Sequence, residues 1–77
     1  MKRSRVQIHK DILELLHGGP RAKTQIVYSL NLNFRSCRGY IDELEKARLI
    51  EKMGREWRIT PRGQASIVHL RASGLVP

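Results

Sequence analysis

Two short breaks divide the first part of the chain into three segments, each with an apolar stripe at helical spacing. The breaks are Gly18-Gly19-Pro20, which a helix does not readily continue through, and Asn31-Leu32-Asn33. Within each segment, apolar residues return every three or four positions and so share one face of a helix. The spacing predicts helices over Ser4 to about His17, Lys23 to about Leu30 and Phe34 to about Arg48.

After Leu49 the pattern changes from helical to alternating. The residues from Glu56 to Ile59 alternate between polar and apolar, and the turn Gly54-Arg55 separates them from a half-apolar run that ends at Met53. Alternation beside a glycine turn predicts a small β-hairpin. Trp57 shares a strand face with Ile59, which favours a core position for the indole over a base-stacking one.

A last helix is predicted from Thr60-Pro61, with threonine as the N-cap and proline at the first helical position, to about Ser73. Ser4 and Asn33 are well placed to cap the first and third helices in the same way. The order helix, helix, helix, strand, strand, helix predicts a winged helix-turn-helix, an α+β fold that is mostly helical. We expect a basic N-terminal arm over residues 1–5, the domain over 6–73 and a short tail over 74–77.

Charge and size limit the classes of function open to this chain. Its 77 residues carry 15 Lys and Arg against 7 Asp and Glu, a formal net charge of +8 that favours a polyanionic partner. A domain this small has a thin core and little room for a deep pocket, so we do not expect an enzyme. Cys37 is the only cysteine, and no zinc-binding spacing or phosphate-binding glycine loop is present. We therefore expect no metal, cofactor or small-molecule ligand.

The distribution of apolar residues does not favour a membrane partner. No apolar run approaches the roughly 18 residues needed to cross a bilayer. The charged N-terminus is not followed by the continuous apolar stretch of a signal peptide. We therefore expect a cytoplasmic protein.

Five short strings occur in a set order along the chain. They are Lys23-Thr24-Gln25-Ile26-Val27-Tyr28, Asn31-Leu32-Asn33-Phe34, Tyr40-Ile41-x-x-Leu44, Leu49-Ile50 and Trp57-Arg58-Ile59-Thr60-Pro61-Arg62-Gly63. Together they resemble the archaeal winged helix-turn-helix family, over most of the chain. That family includes predicted transcriptional regulators and small, basic, chromatin-associated proteins, so the resemblance implies DNA binding. Some members dimerise through a long extension of the last helix; Gly74 and Pro77 follow it here, so that mode is not expected.

The third predicted helix carries the candidate base-reading residues. Opposite its apolar stripe lie Arg35, Arg38, Gly39 and Asp42, with Ser36 beside them. Recognition helices insert their N-terminal residues into the major groove, where arginine is the commonest base reader. The basic residues lie in the first half of the helix and the acidic ones in the second, which favours entry of DNA at the N-terminal end. Gly39 either admits the DNA closely or allows the second helix to pack tightly.

The other DNA-binding candidates come from the start of helix 2, the hairpin or wing, and the arm. They are Lys23, Thr24, Gln25, Lys52, Arg55, Arg58, Lys2, Arg3 and Arg5. Helix N-termini attract phosphate, and basic residues of a wing commonly contact phosphates or the minor groove. Two alternatives stay open at this point, namely a local capping role for Thr24 and a solvated arm.

The sequence therefore predicts a protein that binds double-stranded DNA, with a transcriptional regulator as the first hypothesis. An architectural chromatin protein with little sequence specificity and a protein-interaction winged helix are the alternatives. A homodimer through the last helix is a further expectation, by way of Ile67, Val68 and Leu70. Such a protein would act in the cytoplasm in association with the nucleoid.

Overall fold

The computed structural model describes the backbone of residues 4–73 and the side chains of residues 4–68. Its elements are α1 (Arg5–His17), β1 (Arg21–Ala22), α2 (Lys23–Leu30), α3 (Phe34–Lys46), β2 (Ile50–Met53), β3 (Glu56–Ile59) and α4 (Pro61–Ser73). This order confirms the predicted helix-turn-helix followed by a hairpin and a helix. Arg5 is the first residue of α1, because Ser4 is the N-cap, so the last residue of the expected arm belongs to the domain.

The sheet contains one strand that the sequence analysis missed. It is antiparallel and three-stranded, in the order β1-β3-β2, and β1 pairs Arg21 with Trp57 and Ala22 with Glu56. A strand of two residues is too short to show alternation, so no local pattern predicts it. Its pairing ties the connection between α1 and α2 to the hairpin, which places the start of α2 beside the wing.

Side-chain caps fix three of the four helix starts. The Ser4 hydroxyl accepts the Gln7 amide at 3.1 Å, the Asn33 side chain accepts the Arg35 amide at 2.9 Å, and the Thr60 hydroxyl accepts the Gly63 amide at 3.0 Å. All three predicted N-caps are thus confirmed. The N-cap of α2 is Ala22, which has no side-chain acceptor, so the capping alternative for Thr24 is wrong.

The core collects apolar side chains from all four helices and the hairpin. It consists of Ile8, Ile12, Leu13, Leu16, Ile26, Val27, Cys37, Ile41, Leu44, Ile50, Trp57 and Ile67. The core position predicted for Trp57 is confirmed, and Cys37 packs in the same core. Burial raises the pKa of the Cys37 thiol, and the positive charge of Lys23 opposes this rise. The thiol is therefore neutral near pH 7 and acts as a small apolar side chain.

The apolar stripes of α1 and α3 begin at Val6 and Phe34, but both side chains are exposed. Val6 is 67% exposed and Phe34 is 51% exposed. Both lie in the first turn of a helix, where the stripe extends past the elements that cover it. The exposed ring of Phe34 is partly covered by Lys23, whose ammonium group lies 4.4 Å from the centre of the ring.

The role expected for α4 in a dimer needs one correction. Ile67 is 2% exposed and packs in the core of its own domain, so its assignment to a dimer surface is wrong. Helical geometry turns the next residue, Val68, away from that core, and it is 65% exposed. The side chain of Leu70 lies outside the described side chains, and the tail over residues 74–77 lies outside the described backbone.

The third helix ends earlier than predicted because Arg48 adopts a left-handed conformation with φ of 63°. The Leu49 amide donates to the Leu44 carbonyl at 3.0 Å and the Arg48 amide to the Glu45 carbonyl at 2.9 Å, which together form a Schellman motif. Glycine is the usual residue at this position, since a side chain disfavours left-handed backbone by about 1 kcal/mol.

Replacing Arg48 with glycine is therefore expected to stabilise the domain. Relief of the left-handed strain outweighs the greater freedom of glycine in the unfolded chain, for a net gain of about 0.5–1 kcal/mol. Urea denaturation should show a higher midpoint at an unchanged slope. Arg48→Ala removes the same charge but keeps the strain, so an equal gain in that variant would contradict the explanation.

Candidate nucleic-acid interface

The exposed face of α3 presents the residues predicted to read bases. Cys37, Ile41 and Leu44 turn into the core, so the opposite face, with Arg35, Ser36, Arg38 and Gly39, is exposed. Among the side chains of residues 4–68, neither Arg35 nor Arg38 forms an ion pair or hydrogen bond. Both guanidinium groups are thus available to an external acceptor.

Beside this face lies an open groove of about 540 Å³, which we call the α3–wing groove. It is bounded by α3, the start of α2 and the hairpin, and is lined by Lys23, Arg38, Ile41, Asp42, Glu45, Lys52, Arg55 and Trp57. Four predicted site residues from three separate segments therefore meet there: Lys23, Arg38, Lys52 and Arg55.

The register of the hairpin decides which basic residues of the wing reach the groove. Lys52 is the cross-strand partner of Trp57, so both lie on the face that turns toward α3. The Lys52 ammonium group lies 5.1 Å from the centre of the Trp57 ring system, within cation–π range. The aromatic ring thus supports a charge at the wall of the groove while staying buried itself.

Arg58 lies on the opposite face of the hairpin, away from the groove. Its cross-strand partner is Glu51, and the Arg58 Nε–H donates to a Glu51 carboxylate oxygen at 2.5 Å. A further contact joins Arg58 to the sulfur of Met53 at 3.7 Å. Lys52 and Arg58, the two basic residues predicted to flank the wing, therefore lie on opposite faces of the sheet. The charge of Arg58 is already paired with Glu51.

The start of α2 contributes one cation, Lys23, to the groove, whereas Thr24 and Gln25 do not line it. Lys23 stacks on Phe34 and so lies between the first turns of α2 and α3. The Gln25 side-chain oxygen accepts the Ala22 amide at 2.8 Å, which commits that oxygen to the helix start. Thr24 is exposed beside it. Since Ala22 offers no capping oxygen, the first amides of α2 have no side-chain acceptor at the N-cap.

Arg5 joins α1 to α3 instead of extending as an arm. Its guanidinium lies 3.3 Å from one carboxylate oxygen of Glu43, and the His9 Nε2 lies 2.7 Å from the other. The His9 ring also meets Tyr40 edge to face, with 5.7 Å between ring centres. This contact holds the two helices together at the edge of the exposed α3 face. Lys2 and Arg3 lie outside the described residues.

The structure excludes one of the two explanations offered for Gly39. A Cβ built at this position meets nothing within 4 Å, so tight packing of the second helix is not the reason for glycine. The backbone at Gly39 instead faces open space on the exposed side of α3. Close approach of an external molecule is the explanation that stays open.

The position of the acidic residues is a finding that the sequence analysis did not anticipate. Asp42 and Glu45 line the α3–wing groove together with the four cations. These acids, which we expected to lie away from the point of DNA entry, thus share one groove with candidate DNA-binding residues, and the point of entry stays a prediction. The helical spacing contained the signal, because Asp42 and Glu45 follow Arg38 by four and seven residues and so share its face.

The described part of the chain gives no sign of a metal centre or of a membrane span. Within it, no group of three or more His, Cys, Asp and Glu side chains is arranged to hold a metal ion. No helix in the same range is long and apolar enough to cross a bilayer.

Comparisons with known proteins agree with this architecture. The model of the winged helix-turn-helix family matches residues 2–73. An uncharacterised protein of Methanocaldococcus jannaschii is 33% identical over 63 residues, which cover 82% of this chain and 65% of the relative. The crystal structure of IdeR from T. acidophilum superposes with a TM-score of 0.69 at 24% identity, covering 87% of this chain and 33% of that one. This last likeness shows a shared fold, and the chain spans one third of that protein.

Proposed function

This chain belongs to the winged helix-turn-helix family, and from that premise we propose that it is a transcriptional regulator with α3 in the major groove of duplex DNA. At the level of the family, the chain is a DNA-binding domain and not an enzyme. The proposal adds a role for each segment. The exposed face of α3 reads bases, while the wing and the start of α2 contact the sugar-phosphate backbone.

The observation that carries this proposal is the convergence of four cations in the α3–wing groove. Lys23, Arg38, Lys52 and Arg55 come from α2, α3 and the hairpin, and they line one continuous groove. Neutralisation of phosphates supplies most of the affinity of DNA-binding proteins, and contacts to bases add specificity. A groove that joins a base-reading helix to backbone-binding cations meets both needs.

The start of α2 adds a second phosphate contact to the proposal. Its first amides lack a capping side chain, in contrast to those of α3, which Asn33 already occupies. Unpaired amides at the positive end of a helix favour phosphate. With Lys23 and the exposed Thr24 beside them, they would hold the strand that borders the groove. Arg58 and Arg5, both paired to carboxylates, would contribute less.

A homodimer belongs to the proposal as well, since two copies would read two half-sites. The exposed side of α4 supports the dimer, because it presents the apolar side chain of Val68 on a side of the helix that does not face the core.

We place the protein in the cytoplasm, on chromosomal DNA. A palindromic preference in selected DNA would support the dimer and the regulatory role, whereas equal affinity for all duplexes would favour an architectural role.

The test is a titration of labelled duplex DNA of random sequence over a range of salt concentrations. If each of the three groove cations outside α3, Lys23, Lys52 and Arg55, neutralises one phosphate, the binding constant falls about 40-fold when salt rises from about 50 to 200 mM. Fluorescence anisotropy measures this dependence, with a single strand of the same length as the comparison. Absence of binding to any duplex at the lowest salt would contradict the proposal.

A further inference from the structure

Two carboxylates lie in the wall of a groove that otherwise suits phosphate. Asp42 and Glu45 are both exposed there, beside Lys52 and Arg55. Among the side chains of residues 4–68, neither carboxylate is engaged in an ion pair or hydrogen bond. Their charges are thus directed at whatever enters the groove.

An unpaired carboxylate in such a groove opposes binding of DNA in general. A phosphate close to it meets like-charge repulsion, and a base edge that presents only acceptors cannot pair with it. This repulsion is replaced by a favourable contact where a hydrogen-bond donor of the base faces the carboxylate. In the major groove those donors are the exocyclic amino groups of cytosine and adenine.

Asp42 is better placed than Glu45 to meet a base. It follows Arg38 by one turn, at a side-chain separation of about 5–6 Å, which corresponds to between one and two base steps of about 3.4 Å. Glu45 lies a further turn toward the C-terminus, whereas recognition helices contact bases through their N-terminal part. Arg38 and Asp42 do not pair with each other in the structure, so both are available to adjacent bases.

We propose that Asp42 is a specificity-determining residue that accepts a hydrogen bond from the amino group of cytosine or adenine, next to a guanine bound by Arg38. The same carboxylate repels duplexes that present no donor at that position. Binding would then be selective, because the groove loses affinity for every non-matching site. This inference rests on the proposed function, and it commits the protein to a sequence-selective role.

The experiment selects bound duplexes from a random pool with the wild-type protein, Asp42→Ala and Glu45→Ala. The wild-type pool should show an amino-bearing base, cytosine or adenine, at a fixed step from guanine. Asp42→Ala should lose that preference by about tenfold or more and should bind unselected duplex about fivefold more tightly. Glu45→Ala removes the same charge from the same groove, so it should raise affinity for unselected duplex and keep the base preference.

The outcomes separate this inference from the proposed function. If the wild-type protein binds duplex DNA and Asp42→Ala keeps the same base preference, the inference alone is overturned. Loss of the same preference in Glu45→Ala would also overturn it, since any acid in the groove would then suffice. Wild-type protein that binds no duplex would overturn the proposed function and the inference together. Thermal unfolding of each variant establishes that the exposed substitutions leave the fold intact.

Discussion

Replacing Arg35 and Arg38 together with alanine is expected to lower the affinity for duplex DNA by about a hundredfold. Each guanidinium is exposed on the face of α3 opposite the core and is without a partner among residues 4–68. A bidentate contact from arginine to guanine contributes about 1–3 kcal/mol, so loss of two such contacts accounts for the decrease. Anisotropy titration with a selected duplex at fixed salt measures it.

A matched control separates these contacts from the effect of net charge. Arg48→Gly combined with Arg62→Ala also removes two positive charges, from positions that do not line the α3–wing groove. This control should retain affinity to within about threefold, since exposed charges remote from the bound DNA act through screened, long-range attraction. Equal losses in the two double variants would show that only net charge matters, and would contradict a role for α3 as the reading helix.

The parts of the fold that were predictable are those whose signal is local. The start and end of α2, at Lys23 and Leu30, agree with the prediction, since the breaks on either side contain glycine, proline and asparagine. The caps at Ser4, Asn33 and Thr60 are likewise local, because a side chain meets an amide two or three residues further on.

The parts that were missed depend on pairing between distant segments. Arg21 becomes part of a strand only because Trp57 lies opposite it, and nothing near Arg21 in the sequence encodes that contact. Whether an acid on α3 lies near the wing likewise depends on where the hairpin packs. The sequence therefore predicted that Asp42 shares a face with Arg38, but could not predict that both line one groove with Lys52.

The orientation of Arg58 was predictable from the sequence, but its ion-pair partner was not. The alternation that predicts Trp57 and Ile59 in the core also directs Arg58 outward. What the sequence could not supply was the partner, since the pairing of Arg58 with Glu51 follows from the register of the hairpin. A basic residue near a wing is therefore a weaker candidate for DNA contact when its cross-strand neighbour is acidic.

The junction between the hairpin and α4 requires glycine at position 63 because another part of the chain lies close to it. At Gly39, in contrast, an added Cβ would meet nothing within 4 Å. The Thr60 hydroxyl donates to the Arg48 carbonyl at 2.7 Å, and the Thr60 amide donates to the Leu49 carbonyl at 3.0 Å. These bonds bring the chain before β2 against the first turn of α4. The carbonyl of Leu49 then lies directly over Gly63, where only a hydrogen atom fits.

Gly63→Ala is accordingly expected to lower the free energy of unfolding by about 2–3 kcal/mol. The added Cβ would overlap the Leu49 carbonyl oxygen and come within 2.6 Å of Ile59 Cγ1, so the backbone of the junction must move. The melting temperature of a domain this small should fall by about 10 °C or more.

Gly39→Ala is the matched control, because it makes the same change inside a helix where nothing lies within 4 Å of the new atom. The higher helix propensity of alanine should there raise the free energy of unfolding by about 0.5–1 kcal/mol. Opposite signs for the two variants, measured by urea denaturation, would show that the carbonyl of Leu49 makes Gly63 necessary. A stabilising effect at both positions would mean that the junction relaxes freely, and would contradict the close approach on which the packing of α4 against the hairpin depends.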